Sequence, residues 1–300
     1  MILRHLGEFE LIERLSRRIK LSSRVIKGIG DDAAVLKYKR DRYLLFTTDM
    51  LVEEKHFHRR SGGYLIGRKA VCSSISDIAA MGGLPRWAVI SLGVPGVLSL
   101  KFIDDLYRGM RSFSEKFGID LAGGDTVGSR EIIINIAMLG EVEKKNLVLR
   151  SHAREGDGIF VTGSFGGSLK GKHLRFTPRL KEARFLVKNF RVNSMIDVSD
   201  GLAADLGHIL ESSRVGCIIY EEDIPISKNA RTFDSAIKEG EDFELVFTMP
   251  ESQADRLTKK WPFDVRLSKI GRVCNADEGF NLVRKIGKRE KMEPAGYTHF

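Results

Sequence analysis

The chain reads as an α/β (α+β) protein made of two successive units. Three observations predict this. Segments with apolar residues at helical spacing alternate with short β-rich runs. The alternation restarts after a polar stretch at 143–158 (EKKNLVLRSHAREGDG). With 300 residues, 42% of them hydrophobic, the chain can fill two cores of ordinary size. The first unit is set at residues 1–142 and the second at 143–300.

Residues 7–20 carry Phe9, Ile12, Leu15 and Ile19 at helical spacing. Ala33–Tyr38 and Tyr43–Thr48 read as strands. Residues 62–81 read as a helix, stopped by Gly82, Gly83 and Pro85. Trp87–Val94 is a strand, 99–117 a helix, Ile119–Ala122 a short strand running into Gly123-Gly124-Asp125, and Glu131–Val142 a long β-rich strand. Beyond the connection come a strand at 158–162, a helix at 178–189 opened by Pro178, a strand at 194–198, a helix at 201–213 and a strand at 216–220. A strand at 242–248, a helix at 251–261 and β-rich segments at 265–273 and 279–286 complete the pattern.

Charged residues make up 30% of the chain and the net charge is +9. This favours anionic partners such as nucleotides. No basic arm or aromatic-interleaved basic stretch is present, so no nucleic-acid partner is expected. Cys72, Cys217 and Cys274 lie far apart and offer neither a disulfide framework nor a CxxC site. The amino terminus, Met-Ile-Leu-Arg, has no signal-peptide core, and no apolar run approaches the ~20 residues of a membrane span. A reducing cytoplasm is the expected location.

Aspartates gather beside Gly, Ser and Thr in Gly30-Asp31-Asp32, Thr47-Thr48-Asp49, Ser76-Asp77, Gly123-Gly124-Asp125 and Asp197-Val198-Ser199-Asp200-Gly201. Any one of these can be a turn or a helix cap. Asp200 alone would satisfy a cap, which leaves Asp197 without a role. Asp77 falls on the apolar side of a helix, in SSISDIAAMGG, where a lone carboxylate is costly. Grouped carboxylates repel one another unless a cation lies among them, and Mg²⁺ favours such oxygen ligands completed by substrate phosphates. The set predicts a magnesium-dependent enzyme acting on phosphates, and Gly240-Glu241-Asp242 adds acid before a later strand.

Other motifs carry less. Gly166 to Lys172 fits GxxxxGK, but His173 follows where a P-loop needs Ser or Thr, and Pro178 prevents a long helix. The segment reads as a flexible Gly/Lys loop. No protein-kinase HRD or DFG set is present. His56 and His58 lack further His or Cys at zinc spacing.

The motifs GEFELIERL, GIGDDAAVL, TTDMLVEEKHF, SDIAAMGGLP, GGDT, DVSDGLAADLGHI, GEDFELVFT and GYTHF occur in that order from residue 7 to 300. Together they resemble the thiamine-monophosphate kinases, in the superfamily that also holds aminoimidazole ribonucleotide synthetase. The resemblance implies the two-domain fold of that superfamily, with an N-terminal domain whose sheet pairs across a homodimer. It implies transfer of the γ-phosphate of ATP to thiamine monophosphate with several Mg²⁺ ions. Carried over by position, Asp32, Thr47, Thr48, Asp49, Asp77, Asp125, Asp197 and Asp200 are implied as metal ligands, with Asp49, Asp77, Asp125 and Asp197 at the catalytic centre. Phe117, Gly124, Asp125, Arg150 and Ser199 are implied as ATP contacts, and His56, Glu241 and Tyr297 as substrate contacts. The chain departs from the pattern at Ser74-Ile75-Ser76-Asp77, where relatives often carry Asn-Leu-Ser-Asp, at Phe117 in place of Tyr, and in a short loop at 163–180.

The chemistry agrees with this without borrowing from it. A phosphate acceptor is already largely ionised near neutral pH. The obstacle is to bring two polyanions together, which bound Mg²⁺ relieves. No Ser-His or Cys-His arrangement is needed. An amidine-cyclising synthetase of purine synthesis is the alternative within the superfamily. Selenophosphate synthesis is disfavoured, because no reactive cysteine lies near the amino terminus.

Overall fold

Strands β1 (Val25–Lys27), β2 (Ala34–Lys37), β3 (Arg42–Val52), β4 (Leu84–Val94), β5 (Asp120–Gly128) and β6 (Ile133–Glu143) form one sheet in the order β1-β2-β3-β6-β4-β5. All neighbours are antiparallel except β4 and β5. The period of two is clean in β6: Ile134, Ile136 and Met138 are buried, while Ile133, Asn135, Ala137 and Leu139 on the other face are half-buried. The computed structural model describes residues 7–298; the Met-Ile-Leu-Arg start and the last two residues of GYTHF lie outside the described residues.

Helix α1 (Glu8–Ser16) precedes this sheet, and α2 (Gly63–Ala80) and α3 (Leu100–Phe117) follow β3 and β4. Helix α2 lies against β3, β4 and β6, and α3 lies against α2. The two helices cross backbone to backbone. A Cβ on Gly67 would come 2.0 Å from the Leu106 carbonyl oxygen, and one on Gly109 2.1 Å from that of Tyr64.

The second sheet holds β7 (Asp157–Thr162), β8 (Ser194–Asp197), β9 (Gly216–Tyr220), β10 (Leu245–Pro250), β11 (Leu267–Cys274), β12 (Phe280–Val283) and β13 (Arg289–Lys291), in the order β13-β12-β9-β11-β7-β10-β8. Only β12 and β9 run parallel. Helices α4 (Lys172–Arg175), α5 (Leu180–Asn189), α6 (Leu202–Ser213), α7 (Phe233–Lys238) and α8 (Ala254–Lys260) accompany it. Its central strands are buried on both faces, which is why they read as unbroken apolar runs. Phe160 and Phe247 join the core of the first sheet, with Ile78, Met110 and Leu186. Ile159, Val161 and Val246 point the other way, to Leu206 and Ile209 of α6.

The order of elements follows the expectation, and the differences have local causes. Strand β3 continues to Val52, so Asp49 lies within a strand rather than at its end. Strand β5 runs through Gly123-Gly124-Asp125 to Gly128, because pairing with β4 resumes after a one-residue bulge at Ala122. Strand β10 starts at Leu245 rather than 242: Glu241 and Phe243 take φ of 68° and 50°, which no strand accommodates. Nothing in the apolar pattern signals the short β1 or α7. The GxxxxGK segment forms a 3₁₀ turn and the four-residue α4.

Candidate active site

Separate elements aim their carboxylates at one point. Asp49 lies in β3, Asp77 in α2, Asp197 ends β8, and Asp32 precedes β2. Carboxylate oxygens of Asp32, Asp77 and Asp197 lie within 4.8 Å of one another. Local sequence accounts for the aim. Thr47 and Asp49 share the helix-covered face of β3, and the Thr47 hydroxyl donates to Asp77 at 2.5 Å. Ser74, nearly one turn before Asp77, donates to Asp49, also at 2.5 Å. Of the expected ligands, Asp32, Thr47, Asp49, Asp77 and Asp197 are thus brought together.

Withdrawal from water is the main force on these acids. It raises Asp32 above the ordinary carboxylate range and pushes Asp197 to about 8 and Asp49 to about 6. Asp77 is raised well above that range by burial and then by its neighbours Asp49, Asp197 and Asp32. Asp32 Oδ2 and Asp197 Oδ2 are buried without a hydrogen-bond partner. Converging buried carboxylates with spare oxygens are the donor set a hard divalent cation takes, so the residues fit Mg²⁺.

Arg150 stands beside this cluster. Its Nη2 lies 2.8 Å from Asp32 Oδ1, and its backbone N–H donates to Asp31 at 3.2 Å. Burial works against the guanidinium charge, but Asp32 and Asp31 outweigh it and hold Arg150 above its ordinary value. Burial, with Arg150 close by, pushes His208 down to about 4. Asp205 Oδ2 accepts from the backbone of Asp200 at 3.0 Å and of Gly201 at 3.1 Å, which fixes the loop that enters α6. Ligand atoms of Asp200, Asp205 and His208 also lie within 4.8 Å of one another.

A cavity of about 360 Å³ opens next to the acids, lined by Asp49, Lys55, His56, Ser199, Asp200, Glu241, Phe243 and Tyr297 among others. Backbone bonds lay its walls together. Glu241 N–H donates to Ser199 O at 2.6 Å and Tyr297 N–H to Asp200 O at 2.9 Å. The Val52 N–H donates to His56 Nδ1 at 3.0 Å. Beneath Glu241 lies a buried charged layer. Arg179 grips Glu244 with two bonds at 2.6 and 2.7 Å, Ser168 donates to Asp242, and Lys172 lies 3.2 Å from Asp242 and 3.1 Å from Glu244. The lysine of the GxxxxGK segment is therefore turned inward.

Phe117, Gly124 and Asp125 are not brought into this site within one chain, whereas Thr48 borders the cavity without turning its hydroxyl to the acids. The Thr48 side chain faces the open side of the sheet and bonds Asn135 at 2.9 Å. Asp49, Ile136, Ile90 and Gly124 lie in one register line across β3, β6, β4 and β5. Gly124 is thus three strand spacings, about 14 Å, from Asp49. Asp125 sits beside it on the exposed edge strand. Phe117 ends α3 with its ring 6.4 Å from that of Phe113.

Sequence reasoning misses Lys69, Ser74 and Asp205. Lys69 stands beside Arg68 in a helix whose other charged residue is Asp77, and this pair of bases among apolar and small residues is the available signal for the first. Asp205 and Ser74 pass as ordinary helix residues, because what they bond is distant in sequence or lies in the backbone.

The chain is similar to known proteins along nearly its whole length. The family descriptions "AIR synthase related protein, N-terminal domain" and "AIR synthase related protein, C-terminal domain" match residues 30–142 and 147–283. A thiamine-monophosphate kinase of Buchnera aphidicola subsp. Schizaphis graminum is 33% identical over 98% of this chain and 99% of its own length. One of Aquifex aeolicus is 34% identical over the full length of both. A solved structure described as AaThiL complexed with AMPPCP and TMP superposes with a TM-score of 0.86 at 33% identity, covering 100% of this chain and 99% of that one.

Proposed function

The chain belongs to the AIR synthase related family and, within it, to the thiamine-monophosphate kinases, and we infer that it transfers the terminal phosphate of ATP to thiamine monophosphate, forming thiamine diphosphate and ADP. The observation that carries this is the meeting of Asp32, Asp77 and Asp197 within 4.8 Å beside the cavity lined by Ser199, Glu241 and Tyr297.

Asp32, Asp49, Asp77 and Asp197, with Thr47, would hold Mg²⁺, and Asp200 stands at the rim where the cavity begins. When bound there, Mg²⁺ would supply the positive charge that offsets the repulsion between donor and acceptor phosphates. The residues do the positioning. Arg150, beside Asp32, would present its planar fork to the donor phosphates, and Ser199 would meet them from the cavity wall. Glu241 and Tyr297 receive the cationic acceptor: the carboxylate by charge, the ring by a cation–π contact of ~0.5–2 kcal/mol. His56 lines the same cavity. The acceptor oxygen is already ionised near neutral pH, so no side chain has to remove its proton. In this reading residues 1–142 supply most of the metal cage and residues 143–300 most of the ligand contacts.

A homodimer completes the site. The open face of the first sheet presents Phe46, Met50, Val89 and Val127 to solvent. An antiparallel sheet with a free outer face carries polar residues there, and a contiguous apolar face points to a partner. A second copy packed on this face would cover the edge strand that carries Gly124 and Asp125 and bring both into use. The cytoplasm remains the expected location; among the described residues no helix is long and apolar enough to cross a membrane.

An assay of ADP release tests the reaction, with thiamine monophosphate offered beside free thiamine and an amidine precursor of purine synthesis. Mg²⁺-dependent turnover on thiamine monophosphate is expected. Turnover on another acceptor alone, or on none, overturns the assignment.

A further inference from the structure

Lys69 is fully buried in the middle of α2. A lysine at 0% exposure is rare and costly unless its charge is paired. Burial lowers its pKa, and Glu241 opposes that shift. Its Nζ lies 2.5 Å from Glu241 Oε2 and donates to the His56 carbonyl oxygen at 2.7 Å. The two contacts belong to different halves of the chain, and both partners line the acceptor cavity while Lys69 itself stands behind its wall.

Both contacted segments are strained. Glu54, in the turn that carries His56, has φ of 64°, and Glu241 and Phe243 have φ of 68° and 50°. Non-glycine residues hold this conformation only where surrounding contacts impose it. The 53–57 turn is closed by its own bonds, Glu54 N–H to Phe57 O at 2.8 Å and His56 N–H to Val52 O at 3.0 Å. The 240–244 segment rests on the buried layer of Arg179 and Lys172. Lys69 spans the gap between them. Eight residues further along the same helix, Asp77 stands in the acid cluster, so one rigid rod joins the acceptor wall to the metal cage.

We propose that Lys69 is a positioning residue for the acceptor: it sets the Glu241 carboxylate and the His56 turn at a fixed separation on the cavity wall, and so decides the affinity for the cationic phosphate ester rather than for ATP. The proposal rests on the kinase reading for the identity of the acceptor. Wild-type turnover is therefore measured first, and its absence removes that reading before Lys69 is tested.

The test compares the wild type with Lys69→Met and Lys69→Arg at saturating Mg²⁺. In Lys69→Met, KM for thiamine monophosphate is expected to rise roughly tenfold or more, the scale on which displacement of a contact group is felt, while KM for ATP stays within about twofold. Lys69→Arg keeps the charge and recovers part of the loss. A purely structural role would lower the active fraction, hence kcat, and leave both KM values unchanged. That result, or equal rises in both KM values, overturns the proposal. If Lys69→Met does not fold, the ratio of the two KM values in Lys69→Arg decides: a selective acceptor effect supports the proposal and none overturns it.

Discussion

The Arg150 guanidinium lies 2.8 Å from Asp32, an acid whose side chain is only 1% exposed. Its charge opposes the upward shift that burial gives the Asp32 carboxyl, and the pair crosses from the second half of the chain to the first. Arg150→Ala should lower kcat/KM for ATP by about 10²–10³, as for loss of one preorganised donor to a reacting phosphate. Arg150→Lys should recover little, because a point charge does not replace a planar fork. Steady-state kinetics with ATP varied checks both.

Asp77→Asn and Asp49→Asn should each reduce Mg²⁺-dependent turnover by at least ~10² while the fold is retained. The metal-free stability should not fall with them. Burial and neighbouring acids already disfavour charge on Asp77, so an amide removes an unfavourable interaction. Circular dichroism melts in EDTA, set beside turnover in Mg²⁺, test the two halves of this statement. Full turnover in both variants would remove the metal assignment.

The acid cluster makes metal-free stability fall with rising pH. The folded-state pKa values of Asp49, Asp31 and Asp197 stand at about 6, 7 and 8, all raised by burial. An unfolded aspartate titrates near ~3.9. Between those values the folded chain binds more protons than the unfolded one, so stability is lost as pH climbs through the window from ~4 to about 8. Urea midpoints in EDTA should drop between pH 5.5 and 8.5, and saturating Mg²⁺ should flatten the slope.

Phe46→Glu combined with Met50→Glu places charge on the open apolar face of the first sheet. Light scattering should move from twice the 33.7 kDa chain mass to the single value. Turnover should fall with it, because Gly124 and Asp125 lose their place in a completed site. A wild type of single mass at assay concentration would remove the dimer.

Lys172 tests the GxxxxGK segment. Its amine serves Asp242 and Glu244, not a phosphate. Lys172→Met should cost about 3 kcal/mol of stability by leaving the buried Asp242 without its cation, while Arg179 still holds Glu244, with KM for ATP nearly unchanged. Chemical denaturation and nucleotide kinetics separate this from a phosphate-binding lysine.

Much of the site is legible in the sequence because a carboxylate at an apolar position is too costly to stand there without a cation or a base beside it. Asp77 in its helix and Asp197 before Ser199 announce themselves in this way. Their convergence is not legible, since it depends on α2 being enclosed by the second half. That enclosure also hides Lys69, a residue type that on most helices lies in water. Strand β5 looks shorter from sequence than it is, because consecutive glycines resemble a turn, whereas pairing with β4 carries the backbone through them. The late start of β10 follows from the left-handed residues at 241 and 243, a conformation that glutamate and phenylalanine do not advertise.

Phe160, Leu186 and Phe247 share an interior with Ile78 and Met110. A gene cut near codon 143 would therefore yield neither half as a soluble product, since each would carry away one wall of a common room. Recombination between relatives at that boundary should succeed only when both surfaces come from parents that evolved together.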